Sequence, residues 1–153
     1  MTHDLLAMLG IYGGTFVVSL IAGLVPLVNT ELFLIGVVRV AIKSPAQLVP
    51  LVLFASVGQM AAKIALYYTG RSLLDLPRGR YKNKVELLRT KIERWQAKPY
   101  LVYTVSSVLG LPPFYLTVLA AGAMRIRFDA FFLIGLLGRI LRFAVIVAIA
   151  WAA

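Results

Sequence analysis

The segment that most constrains this chain reads G-L-V-P-L-V-N-T-E-L-F-L-I-G-V-V-R, residues 23–39, with Pro26, Asn29, Thr30 and Glu31 together at its centre. Apolar residues flank it on both sides. Proline removes a backbone donor and disfavours helical geometry in the residue before it, so a helix entering from 5–28 should end there. Beyond the break only about 12 apolar residues follow, to Ile42, or roughly 18 Å of helix against a hydrocarbon core of about 30 Å. Two short arms around a polar break describe a re-entrant hairpin over 20–43. A single kinked helix with Glu31 near an interface is the alternative. Exposed backbone in lipid is costly, so such a hairpin should be covered by protein, and Gly23 and Gly36 would permit close packing. A carboxylate within an apolar span costs about 2.5–3.5 kcal/mol on insertion scales, which makes Glu31 the first functional suspect.

The rest of the sequence has the same character. Of 153 residues, 61% are hydrophobic and 14% charged, and the mean hydropathy is +0.88. A water-soluble domain carries about 25% charged residues, so this is the composition of one integral membrane domain. There are no cysteines, which excludes disulfides and thiolate metal sites. The first four residues hold no Lys or Arg, and no small-residue cleavage site clearly follows the apolar run, so no cleaved signal peptide is expected.

Ser44 and Pro45 form a helix start, and 45–70 is long enough to span. Gln59 and Lys63 lie four apart on one face of it, and Lys63 either snorkels to an interface or faces an interior cavity. Residues 71–98 are the hydrophilic stretch and hold nine of the 16 basic residues. Within it Val85, Leu88, Ile92 and Trp95 make one apolar stripe, the pattern of an interfacial amphipathic helix. Its basic residues, with Arg71, Arg78, Arg80, Lys82 and Lys84 foremost, suit contact with anionic lipid headgroups on the cytoplasmic side and make nucleic acid a poor partner.

Residues 100–125 are interrupted at L-G-L-P-P, 109–113. Pro112 and Pro113 cannot sit in a straight helix interior, which implies a second re-entrant hairpin. The final span, 128–153, carries Arg139 and Arg142 three residues apart on roughly one face. A shift of 86 residues places Pro26 on Pro112, Gly36 on Gly122 and Arg39 on Arg125, and a shift of 80 places Gly58 on Gly138. With one span between them, the hairpins should enter from opposite faces. The expected fold is therefore all-α, with two opposed re-entrant hairpins packed among transmembrane helices as an inverted repeat.

The pieces P-L-V-N-T-E at 26–31, Y-Y-T-G-R at 67–71, and the second half of hairpin and span running to Trp151 resemble the DedA/VTT family, also called SNARE-associated membrane proteins. The resemblance covers the chain from about residue 20 onward. It implies a bacterial inner-membrane protein linked to lipid scrambling or to movement of a polyprenyl phosphate carrier. It also makes Glu31 the acidic position of the first hairpin, Gly70 and Arg71 the end of the following span, and Arg139 a basic position of the last span. The chain departs from the family pattern at Phe114, Tyr115 and Leu116, where many relatives have an arginine, and at Ala62 and Lys63, where some have an acid.

Site candidates for a polar pathway are thus Asn29, Thr30, Glu31, Gln59, Lys63, Arg139 and Arg142. Glu31 would pair with one of the bases or titrate in a cavity of low dielectric. A pair that merely holds hairpin to span is the structural alternative. No nucleophile elbow, phosphate loop, His-Glu-x-x-His helix or aspartate cluster occurs, so neither catalysis nor a cofactor or metal is expected. Membrane lipids, anionic ones above all, are the expected partners, with homo-oligomers left open. Rival functions are a proton- or ion-coupled solute transporter and a non-transporting scaffold.

Overall fold

The computed structural model describes residues 2–25, 28–73, 99–109 and 114–153, and all regular structure among them is helical. In chain order the helices are α1 (Thr2–Leu24), α2 (Thr30–Val40), a 3₁₀ turn (Pro45–Gln47), α3 (Leu48–Leu73), α4 (Pro99–Leu109), α5 (Phe114–Ala123) and α6 (Phe128–Ala152). Among the described residues, three helical stretches, Thr2–Leu24, Pro45–Ser72 and Phe128–Ala152, are long and apolar enough to cross a membrane. The amphipathic helix expected at 85–95, the cations Arg78, Arg80, Lys82 and Lys84, and the breaking prolines Pro26, Pro112 and Pro113 lie outside the described residues.

The helix before the first break is longer than the short arm expected there: α1 runs 23 residues without interruption, and no proline stands within it to stop it. The short arm is α2 alone, with 11 residues or about 16 Å. On the other side of the sequence α4 and α5 have 11 and 10 residues, both below spanning length, and they pack against each other.

The chain divides into two compact units, Met1–Ala62 with Arg139–Ala153, and Lys63–Gly138. In the first, α1 buries Thr15, Ser19, Ala22 and Gly23 and turns Leu5, Leu6, Leu9 and Val17 outward. Small residues inside and large apolar ones outside is the arrangement that lipid, not water, favours. A Cβ at Gly58 would come within 2.5 Å of the Phe16 carbonyl oxygen and 3.1 Å of Ser19 Cβ, and one at Gly23 would press on Ala62. These glycines let α1 and α3 touch backbone to side chain. Gly36, by contrast, has nothing within 4 Å, so of the two glycines expected to pack the first hairpin only Gly23 does.

The core of this unit is built by the stripe Leu34, Val38 and Ile42, which meets Leu51, Val52 and Ala55 of α3 and Phe143, Val147 and Ala150 of α6. Spacings of four between Leu34 and Val38, and of four and three along Phe143, Val147 and Ala150, keep these residues on one face of α2 and of α6. At the turn into α3 the Gln47 side chain accepts from the Lys43 and Ser44 amides at 2.8 and 3.3 Å, with Pro45 at the first position of the 3₁₀ turn.

In the second unit α5 buries Phe114 and every residue from Thr117 to Ala123. A short helix closed off this completely meets the requirement that a non-spanning arm be covered by protein. Tyr103 donates to the Phe131 carbonyl at 2.9 Å, Tyr67 donates to the Ile126 carbonyl, and the Tyr67 and Phe131 rings stack at 4.4 Å. A Cβ at Gly138 would run into the Ser107 side chain. Each unit thus has a span glycine seated on a serine of a neighbouring helix: Gly58 on Ser19, Gly138 on Ser107. Helix α5 ends in a Schellman motif, with Ile126 N–H bonded to Ala121 and Arg125 N–H to Gly122, and Arg125 occupies the left-handed position at φ 55°, where glycine is usual.

Candidate functional site

The polar break near residue 26 is resolved into a helix start. Asn29 is extended, at φ −106° and ψ 104°, and its Oδ1 accepts from the Glu31 and Leu32 amides at 2.9 and 3.3 Å. This satisfies two of the four amides that a helix N-terminus leaves unbonded. Its role is local: Asn29→Ala should lower thermal stability in detergent by about 1 kcal/mol, the usual worth of such a cap, with little effect if the cap is replaced by serine or aspartate.

The cap fixes Thr30 and Glu31 in the first turn of α2, aimed in different directions. Thr30 is buried, and its Oγ1 accepts from Gln59 Nε2 at 3.0 Å. Glu31 forms an ion pair in which Arg142 Nε donates to its Oε1. Of the three bases considered for Glu31, the structure selects Arg142. The choice follows from helix register: Arg39 also reaches α6, its Nη1 donating to the Ala150 carbonyl at 3.4 Å, and both contacts join residues 111 apart. Helix α2 therefore runs alongside the last part of α6 in the same direction, held by the Leu34/Val38/Ile42 stripe on Phe143, Val147 and Ala150.

Arg142 lies nine residues before Trp151 on α6, or about 13 Å along the axis. If Trp151 marks the interface, as tryptophan does at membrane boundaries, the pair sits close to the middle of a hydrocarbon layer about 30 Å thick. The pair is not sealed: the Glu31 and Arg142 side chains keep 30% and 23% of their surface. A guanidinium at that depth, partly open, holds a carboxylate that a phosphate oxygen could replace in the same geometry.

Arg139, also sought as a partner, is buried and lies with its guanidinium carbon 5.9 Å from the Phe143 ring centroid, a cation–π contact. In the second unit Lys63 is 5% exposed and its Nζ stands 5.5 Å from the Phe114 ring centroid. It is an interior cation, and of the two readings of Lys63 snorkelling is set aside. The aromatic at 114, the site of one departure from the family pattern, is thus the residue against which the other departure, Lys63, is stabilised. Arg71 is exposed at the end of α3.

Several hydroxyls escaped the sequence reading. Ser19 and Ser56, like the Oε1 atom of the candidate Gln59, are buried without a hydrogen-bond partner among the described residues of the first unit. Thr15 donates back to the Ile11 carbonyl at 2.7 Å. In the second unit Ser106 and Thr117 hydroxyls meet at 2.8 Å between α4 and α5. The signal was present in the i, i+4 spacing of Thr15 and Ser19 within an apolar helix, which places two hydroxyls on one buried face.

The VTT domain family model matches residues 25–152. The chain belongs to the VTT-domain, or DedA/SNARE-associated, family. The matched region begins at the polar break and takes in both short-helix segments and the two spans that follow them. No curated protein and no solved structure matches the chain significantly. As a VTT-domain protein with three candidate transmembrane helices it is an integral membrane protein.

Proposed function

We propose that this VTT-domain protein moves lipids between leaflets, as a scramblase or as a translocase of a lipid carrier such as a polyprenyl phosphate, with the Glu31–Arg142 pair as its central polar station. The observation that carries this reading is that pair: opposite charges within an apolar protein, at a helix start capped by Asn29, and partly accessible. A headgroup crossing hydrocarbon needs compensating charge along its route. Arg142 supplies a bidentate phosphate ligand when Glu31 yields it, and Glu31 neutralises Arg142 when no lipid is present. Buried Ser19, Ser56 and Gln59 add hydrogen-bonding capacity in the same unit.

In this reading α4–α5 and the α1–α2 break are two re-entrant elements of an inverted repeat, supported by the matching Gly58–Ser19 and Gly138–Ser107 contacts. The protein resides in a bacterial inner membrane with 71–98 on the cytoplasmic side, where its basic residues contact anionic lipids. It acts without a cofactor.

Reconstitution in liposomes carrying a reporter lipid in both leaflets tests the proposal. Dithionite quenching should reach the inner-leaflet label within minutes, without an ion gradient, and faster for anionic than for zwitterionic reporters. Exchange only under a pH gradient would favour the coupled solute transporter instead. No exchange under either condition would leave the scaffold as the better account.

A further inference from the structure

In the first unit, the C-terminal ends of α2 and α6 enclose a cleft of about 320 Å³ walled by Val38, Arg39, Ile42, Ala150 and Trp151. We propose that this cleft is a binding site for the headgroup phosphate of an anionic phospholipid, seated on Arg39 beside Trp151, with an acyl chain along the adjoining α3–α6 groove. The groove, of about 390 Å³, is lined by Leu48, Val52, Ile140, Ala144 and Val147 among others, all apolar. Val147 of the groove and Ala150 of the cleft are one helical turn apart on α6, and Ile42 of the cleft precedes Pro45 of the groove by three residues. A polar recess thus opens onto an apolar trough.

Charge selects the occupant. None of the five side chains lining the cleft is acidic, Arg39 is exposed, and the 3.4 Å bond to Ala150 uses one of its five N–H donors. Lys43 is exposed four residues on. Topology does not account for these cations, since they precede the 45–72 span while the basic 71–98 stretch follows it, and one side only can be the positive side. Arginine with tryptophan at headgroup depth, above an apolar trough, matches the three parts of a phospholipid: phosphate, glycerol region and chain. The site stands apart from the Glu31–Arg142 pair and does not require that the protein transport anything.

Trp151 is its own reporter. In a Trp95→Phe background, reconstituted full-length protein would be titrated with brominated phosphatidylglycerol or brominated phosphatidylcholine, and Trp151 quenching converted to a relative association constant. The anionic lipid should be preferred about fivefold, the preference should fall to near unity in Arg39→Gln, and Arg39→Lys should keep much of it. The lipid comparison in the Arg39 protein needs no further variant, so a folding defect in Arg39→Gln would not blur the outcome. Equal quenching by the two lipids, a preference unchanged in Arg39→Gln, or weak quenching by both, as a second copy of the chain covering this face would produce, would each overturn the assignment. Quenching reads association, so its failure is distinct from a failure of lipid exchange.

Discussion

Substituting Gly122 with valine is expected to prevent the second unit from forming. A Cβ at Gly122 falls on the Tyr67 carbonyl and the Arg71 amide of α3, and a Cβ at Gly70 falls on the Leu119 carbonyl of α5. The contact is reciprocal, glycine against backbone in both directions, and no side chain is available to swing aside. Overpacking at such a crossing should cost about 3 kcal/mol, the upper end for inserted methyl groups, and the surrounding residues Leu119, Ala120 and Ala123 are already buried. Gly122→Val should lose its monodisperse peak on size exclusion in detergent, and Gly122→Ala should lower the melting temperature. Gly36→Ala, at the position related to Gly122 by the 86-residue shift, should instead hold or gain stability by roughly 0.5–1 kcal/mol, because the helix gains alanine's propensity and meets no neighbour. Equal effects at the two positions would contradict the packing described.

The second large effect concerns the ion pair. Arg142→Gln leaves the Glu31 carboxylate without its guanidinium at a depth where lone charges are disfavoured. Loss of one partner of a fully buried pair costs about 3–5 kcal/mol, and the partial exposure here reduces that to roughly 2 kcal/mol. Glu31→Gln should destabilise by a similar amount. The double variant Glu31→Gln/Arg142→Gln, with neutral amides that can hydrogen-bond to each other, should recover most of the loss, since replacing both partners removes the uncompensated charge. Thermal melts of the four proteins close the cycle. Additive losses would mean that Glu31 and Arg142 act independently.

Much of the fold was legible because lipid imposes strict rules on backbone. Proline and polar residues inside apolar runs located both breaks, and the lengths between them gave the short helices α2, α4 and α5. Arm length was harder to read. The break at Pro26 suggested a short arm on either side, yet α1 continues unbroken from Thr2 to Leu24, since a break dictates where a helix stops and not where it began. The internal repeat equated Gly36 with Gly122, though one faces open space and the other a backbone; a glycine's identity says nothing about its neighbour.

The candidate side chains were visible in the sequence, but their pairing was not. Glu31 stood out by its cost in lipid, and Lys63, Arg139 and Arg142 were all visible as bases. Choosing among them required the register of α2 on α6, which is set by Leu34, Val38 and Ile42 packing on Phe143, Val147 and Ala150. Such residues carry no chemical signature beyond being apolar, so the sequence could not rank the three bases. Lys63 shows the converse: its burial against Phe114 depends on a residue 51 positions away that sequence reading had treated only as a missing arginine.

Lipid exchange by the double variant is the most direct test of the central claim. Stability and transport are separated there, because Glu31→Gln/Arg142→Gln should keep the fold while removing both charges. In liposomes at equal protein density, the account predicts that the double variant folds, reconstitutes and exchanges reporter lipid at least about tenfold more slowly than the native protein, the loss expected when a charge-assisted contact worth roughly 1.4 kcal/mol or more is removed from the rate-limiting crossing. Exchange at the native rate by a folded double variant would show that the pair only packs α2 against α6 and that lipids take another route.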